Sequence, residues 1–316
     1  MRRPTWASVA LVLSVPISST LWGIGTSFLT VPSTPRELGL GGSSVILTGD
    51  PSLSRGNPAL IVQDLPSIQI YLGYHQWLTG IRGSSVLVAR PALGGTVGFR
   101  IRQLAMSDLE LRTEIPADEF LSHFGASGTA AEVIWGKRLR LRPSGTPGSE
   151  GKGIRFGATL RWIRTELYIY SSSGVGADLG AVWPVIQDRL ALGAAVRNVG
   201  AMGPLNKESP TLPTAISVAA AYRPPIPDAS PPPGLSSVMT LEVEVSRRHG
   251  VVTRVAGETG LGVMRLTLGS RFSQRVTAVG ASLAVTWRRF QVSYGVEVGS
   301  HSLGIPHLFQ VSTILP

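Results

Sequence analysis

The chain has 316 residues, no cysteine and a formal charge of +10. Charged residues make up only 15% while glycine reaches 37 residues, well short of the roughly one-quarter charged content of an ordinary soluble domain. A disulfide scaffold is excluded, and no uninterrupted apolar run long enough for a membrane helix follows the N-terminus, so a glycine-rich soluble β-protein or a membrane β-barrel remains. No block of five or six like charges occurs among the scattered basic residues, which argues against a nucleic-acid partner.

In chain order, MRRPT and the apolar stretch WASVALVLSVPISSTLW read as an export signal over residues 1–25, with cleavage expected between Ser18 and Gly25. Residues 26–64 follow and contain RELGLGGSSVILTGDPSLSRGNPAL, Arg36 to Leu60. Gly39, Gly41 and Gly42 suggest a phosphate loop. Such a loop needs a strand before it, a helix after it and an acidic residue about twenty positions on, within an alternating strand–helix chain. This stretch instead precedes a long all-strand pattern. Its glycines are therefore expected to allow tight packing as a hatch or plug at a barrel mouth. Arg36 and Asp50 are then candidate ties to inward charges, and Asn57–Pro58 a turn before the first strand.

Residues 65–316 are read as the barrel. Strands are expected near 67–79, 81–91, 94–106, 124–138, 154–168, 174–186, 189–200, 214–223, 236–247, 252–260, 263–272, 275–287, 288–299 and 305–315, about fourteen in all. The signal is alternation with period two. Ile154, Phe156, Ala158, Leu160 and Trp162 share one face; Arg155, Gly157, Thr159 and Arg161 share the other. The Pro/Gly/Ser stretches RPSGTPGSEGKG (Arg142 to Gly153) and RPPIPDASPPPG (Arg223 to Gly234) interrupt the pattern.

Alternation fits both a soluble sandwich and a transmembrane antiparallel β-barrel. Three features favour the barrel. The second face is rich in Gly, Ala, Ser and Thr with single charges, where a solvated face would carry more Lys and Glu. Aromatics fall toward segment ends, at Trp77, Trp162, Trp183, Tyr222 and Trp287. The segments are long for a sandwich but suit a tilted membrane strand. The second face would then line the lumen, with Arg100, Arg102, Arg155, Arg161, Asp178, Arg197, Asn198, Glu242, Glu244, Glu258, Arg265, Arg271 and Glu297 pointing inward. Mutual ion pairs would satisfy these charges; alternatively an excess of Arg would form a passage for anionic head groups such as a fatty acid carboxylate.

These blocks resemble the PorV/PorQ family of outer-membrane proteins, itself similar in fold to the FadL long-chain fatty-acid transporters. The opening pattern is carried by Phe28–Leu29, by Arg36-Glu37-Leu38-Gly39-Leu40-Gly41-Gly42, by Asp50 and by Asn57-Pro58-Ala59. Gly56 stands where the family usually has an aromatic residue. Later blocks match in order: Asp178-Leu179-Gly180, Asn198-Val199-Gly200 with Leu212-Pro213 after it, GETGLGVMRLTLGSRF, and a closing strand that ends in Pro316 rather than an aromatic. The resemblance implies a fourteen-stranded outer-membrane barrel with an N-terminal hatch, surrounded by outer-membrane lipid. It implies a role in type IX-like protein secretion, with a secreted client domain or secretion-machinery components as partners. The alternative is FadL-like transport of a fatty acid or other hydrophobic ligand. An open apolar lumen would favour transport, and a filled one would weaken it.

No metal, cofactor or enzymatic chemistry is expected. The five histidines, His75, His123, His249, His301 and His307, lack metal-ligand spacing, and no Gly-x-Ser-x-Gly elbow is present.

Overall fold

The computed structural model describes residues 24–63, 67–111, 121–140, 153–186, 189–225, 234–247, 249–274, 276–300 and 304–315. The export-signal reading therefore lies outside the described residues except for Ile24 and Gly25. Most of each of the two Pro/Gly/Ser stretches also lies outside them.

Fourteen antiparallel strands close into a barrel in sequence order. They are β1 (Ile68–Gln76), β2 (Arg82–Ala92), β3 (Gly95–Leu111), β4 (Ser122–Arg140), β5 (Gly153–Leu167), β6 (Tyr170–Ile186), β7 (Leu190–Met202), β8 (Ala215–Tyr222), β9 (Ser236–Ser246), β10 (Gly250–Leu261), β11 (Met264–Ser273), β12 (Thr277–Trp287), β13 (Phe290–Gly299) and β14 (His307–Leu315). β1 closes on β14 from Ile68 opposite Leu315 to Gln76 opposite His307, so no strand edge is left unpaired around the ring.

The alternation resolves as expected for a membrane barrel. Thr159 and Arg161 are buried while Leu160 and Trp162 are exposed. The same holds for Glu242 and Glu244 against Leu241 and Val245. The apolar residues form an outer band that faces lipid, and the polar face lines the lumen. The fold is that of an outer-membrane β-barrel. Trp183, Tyr222 and Trp287 sit exposed toward the end that carries the start of β1 and the end of β14, hereafter the terminal end. Trp77 corrects the sequence reading. The chain leaves β1 at Gln76 into a 3-10 turn, Leu78–Gly80, and Trp77 packs inward against Phe28, Leu29 and Leu104 rather than outward.

The wall is uneven. β3 to β6 run 15 to 19 residues, whereas β8 has 8. β3, β4 and β6 extend past the expected limits at the end opposite the terminal end, hereafter the loop end. β3 continues to Leu111 through a register shift between Met106 and Leu109, where Asp108 has φ of 63°. This irregularity breaks the alternation that marked the rest of the strand.

The N-terminal segment from Ile24 to Gln63 lies inside the lumen. Three caps of one design shape it. Thr34 accepts from the Glu37 N–H, Asp50 from Ser52 and Asn57 from Ala59, and a proline follows each cap. The cap oxygen satisfies an otherwise orphaned donor, and proline at the first position lacks the N–H that would have been wasted. The elements so started are α1 (Pro35–Gly39) and the 3-10 turns Pro51–Arg55 and Pro58–Ile61. The segment's apolar side chains Leu40, Val45, Ile46, Leu53 and Leu60 share one core cluster with Val182, Ala195, Ala219 and Ala256 of the wall.

Candidate functional site

Inward-facing wall glycines let the segment sit with its backbone against the strands. A Cβ at Gly157 would lie 2.5 Å from the Pro58 carbonyl carbon, and one at Gly269 would lie 2.5 Å from that of Leu40. A Cβ at Gly295 would lie 2.8 Å from the Pro35 oxygen. Gly280 and Gly180 face the Leu38 carbonyl and the Asn57 side chain just as closely. The segment's own glycines play two parts. Gly39 packs on Ser282 with no room for a side chain. Gly41 and Gly42 take φ of 65° and 87°, a left-handed turn that suits glycine and carries the chain out of α1. The Asn57 amide donates to the carbonyls of Val45 at 2.7 Å and Ala181 at 3.1 Å. It thereby ties two parts of the segment to β6.

Ion pairs complete the seating, in four groups. In the first, Arg36 donates to both Glu258 oxygens at 2.7 Å and to Asp50 at 3.0 Å, with Arg265 on the edge 3.7 Å from Glu258. Burial alone would raise the Asp50 carboxyl, but Arg36 and Arg265 outweigh it and hold it below its ordinary range. The second group is internal to the segment. Glu37 is fully buried and accepts from the Ser33 N–H at 2.8 Å, from the Ser44 hydroxyl at 3.1 Å and from Arg55. Burial again pushes its carboxyl up, and these donors, Arg55 foremost, bring it down to about 2 from 4.5.

The third group crosses the wall. Arg100 and Arg161 share Glu132 at 3.0 and 2.7 Å. Arg161 continues to Asp178 at 2.6 Å and to the Asn198 side chain. Arg100 holds the segment through the Ser54 hydroxyl at 2.7 Å and the Ser52 carbonyl at 3.2 Å. A β-bulge places Asp178 there. The register passes from Ala177 opposite Val199 to Leu179 opposite Val196, so Arg197 and Asn198 both oppose Asp178 and both turn inward. In the fourth group, Arg254 lies 2.9 Å from Glu242 and 3.1 Å from Glu244. Arg197 pairs with Glu244, and the Ser43 hydroxyl donates to Glu242 at 2.7 Å.

Four of the expected inward charges, Arg271, Glu297, Arg155 and Arg102, stand outside these groups. Arg271 pairs with Glu297 at 2.8 Å on its own. Arg155 lies near the terminal end of β5, half-buried. Arg102 is almost fully buried, donates to the Val31 carbonyl at 2.8 Å and stacks 5.6 Å from the Phe28 ring centre. No carboxylate pairs with it among the described residues.

The sequence reading omitted Glu132, Arg254, Glu37 and Arg55. The first two share strand parity with Ala130 and Glu258, so continuing the alternation would have found them. The last two lie in the segment, where no period applies.

Above the seated segment, at the loop end, is a cavity of about 580 Å³. One side is apolar, formed by Phe28, Leu29, Val31, Trp77, Leu104 and Leu167. The other carries Arg197, Asn198, Glu244, Arg254 and Arg271. The fatty acid carboxylate passage considered from the sequence is not a row of free arginines here, because Arg197, Arg254 and Arg271 each face a carboxylate. No group of three or more His, Cys, Asp or Glu positioned to hold a metal occurs among the described residues.

No protein-family model matches the chain, and no curated protein does. Solved structures do resemble it. The toluene transporter TbuX of Ralstonia pickettii aligns with a TM-score of 0.56 at 9% identity, over 90% of this chain and 98% of that one. The CymD monoaromatic hydrocarbon channel gives 0.61 at 9%, over 90% and 98%. The toluene transporter TodX of P. putida gives 0.53 at 10%, over 89% and 96%. These neighbours are transporters and channels rather than enzymes. At such identities the likeness speaks for architecture, and it does not single out the PorV/PorQ branch. The chain has the fold of the FadL-like outer-membrane barrels.

Proposed function

We propose that this barrel passes hydrophobic small molecules across the outer membrane, with the cavity at the loop end as the receiving site and residues 26–64 as a hatch beneath it. The observation that carries the reading is the cavity. Its volume lies within the roughly 300–1,000 Å³ typical of small-molecule sites. Its apolar wall suits a hydrocarbon or an acyl chain, and its floor, Phe28 to Val31, belongs to the segment itself. The toluene and monoaromatic hydrocarbon carriers of the same architecture support the same direction. Arg36, Asp50, Asn57 and Pro58 act in this reading as hatch fasteners. The inward charges from Arg100 to Glu297 act as the wall they fasten to.

The test is uptake of toluene and of a medium-chain fatty acid into vesicles that contain the folded barrel. Uptake should exceed that of empty vesicles. It should fall several-fold in Ala126→Trp, which fills the cavity, while the barrel keeps its heat-dependent gel shift. Uptake equal to that of empty vesicles for both compounds would overturn the proposal.

The filled mid-lumen supports a second reading, the secretion role that the PorV/PorQ resemblance implies, because a client carrier needs no tunnel. In that reading a secreted client domain would dock at the loop end. The three similar structures named above are transporters and channels rather than secretion components. Retention of exported proteins in cells that lack the gene, with hydrocarbon uptake unchanged, would favour it over transport.

A further inference from the structure

The outward-facing charges divide unevenly between the two ends of the barrel. At the terminal end, Arg90 and Lys137 lie on the outer faces of β2 and β4, and Arg189 and Arg223 sit at the ends of β7 and β8. Arg288 and Arg289 form the turn from β12 to β13. All are exposed or half-exposed. The exposed carboxylates among the described residues are Asp108, Glu110, Glu166 and Glu208, and all four lie at the loop end. There Arg82, Arg164, Lys207 and Arg247 offset them, and Arg164 pairs with Glu166 at 2.8 Å. The sequence of the terminal-end connections outside the described residues adds Arg142 and Lys152 against Asp64, Glu150, Asp188 and Asp228, which leaves that side net basic.

The six basic residues fall into three pairs spaced around the ring. Strand register places Arg90 opposite Val97, and Val97 opposite Trp135, two residues from Lys137. The Arg223 N–H donates to the Arg189 carbonyl at 2.7 Å. The third pair is consecutive. Each pair adjoins an aromatic side chain: Trp135, Tyr222 and Trp287 respectively, with the Arg288 guanidinium 5.1 Å from the Trp287 ring centre. Indole and phenol rings settle at the head-group level of a bilayer, and Arg and Lys beside them extend along the surface to bring their charge into the polar layer.

We propose that this rim binds the phosphate groups of anionic phospholipids in the leaflet at the terminal end, with each pair forming one lipid site. The charge complementarity is one-sided, so the barrel should select anionic lipid in that leaflet and not in the other. A Lys or Arg near an anionic membrane surface contributes about a fivefold preference, so two residues per site should give a readily measured selectivity.

The experiment uses the folded barrel in vesicles with spin-labelled lipids. Labelled phosphatidylglycerol should associate with the barrel severalfold more strongly than labelled phosphatidylcholine in low salt. The preference should shrink in high salt, because rim charges are exposed to screening. Replacing all six residues by Gln should remove it, and replacing the five arginines by Lys should retain most of it. Replacing Arg82, Lys207 and Arg247 by Gln, at the other end, should leave it unchanged. At matched ionic strength, inorganic phosphate should weaken the preference no more than chloride does, since the aromatic neighbours recognise the interface as well as the charge, and selective displacement by phosphate would overturn the lipid assignment. Equal association of the two lipids with the wild-type barrel would overturn the proposal. So would a preference that survives the six-residue change, or one that the loop-end variant abolishes. The heat-dependent gel shift confirms that each variant is folded before the comparison.

Discussion

Changing Glu37 to Gln should unseat the N-terminal segment while leaving the barrel intact. Glu37 is the knot of that segment, because residues 33, 44 and 55 all donate to its carboxylate. The substitution keeps the shape but leaves Arg55, itself buried, without its counter-charge. A carboxyl held at about 2 instead of 4.5 corresponds to about 3 kcal/mol in favour of the ionised, seated arrangement. That agrees with the ~3–5 kcal/mol typical of breaking a buried ion pair by removing one partner. The equilibrium between seated and released segment should shift by about a hundredfold. Hydrogen exchange in detergent micelles reads this directly. Amides of residues 33–56 should lose protection, while those of β9 to β13 keep theirs because the strand ladders do not depend on Glu37. Unchanged protection in residues 33–56 would refute the view that this carboxylate fastens the segment.

Acid should mimic the substitution. Because the folded value lies below the ordinary one, the stabilisation is complete above about pH 4.5 and is lost as pH falls toward 2; the same exchange measurement across that window checks it. Leu241→Arg places a charge mid-strand on the lipid face of β9 and should block assembly, since Arg costs roughly 2–4 kcal/mol at the bilayer midplane. Val285→Arg, two residues from the exposed Trp287 at the end of β12, should assemble far better because the cost falls to about 0–1 kcal/mol near the interface; folding yield in vesicles compares the two. Gly157→Val should release Pro58 and its turn without unfolding the barrel, given the 2.5 Å approach a Cβ would make, and protease cleavage near residue 58 should report it.

The barrel was legible because lipid and lumen impose opposite chemistry on alternate residues, and strand period carries that directly into the sequence. Leu160 and Arg161 declare their sides unaided. Legibility failed where the period breaks. Trp77 reads as an interfacial aromatic until the 3-10 turn after Gln76 rotates it inward. Arg197 and Asn198 both face the lumen although they are consecutive, which only the bulge opposite Asp178 permits. Within the segment no period exists, so Glu37 and Arg55 could not be paired from spacing. A local signal was present all the same: Thr34-Pro35, Asp50-Pro51 and Asn57-Pro58 are three cap–proline steps, and only the last was read as structural. The PorV/PorQ resemblance rested on ordered blocks such as Asn57-Pro58-Ala59. The architecture those blocks imply holds, but they sit where the segment meets the wall and carry no information about cargo.

The uneven wall has a consequence for the surrounding bilayer. At a rise of about 3.3 Å per residue and a tilt near 40°, the 8 residues of β8 span only about 20 Å along the membrane normal. The apolar band of such barrels is about 25 Å tall. Lipid beside Ile216 and Val218 must compress to match, while lipid beside β4 meets a wall that rises well beyond it. The protein therefore sits in a sloping collar of membrane, thinnest at one flank, and lipid packing is most easily disturbed along that flank.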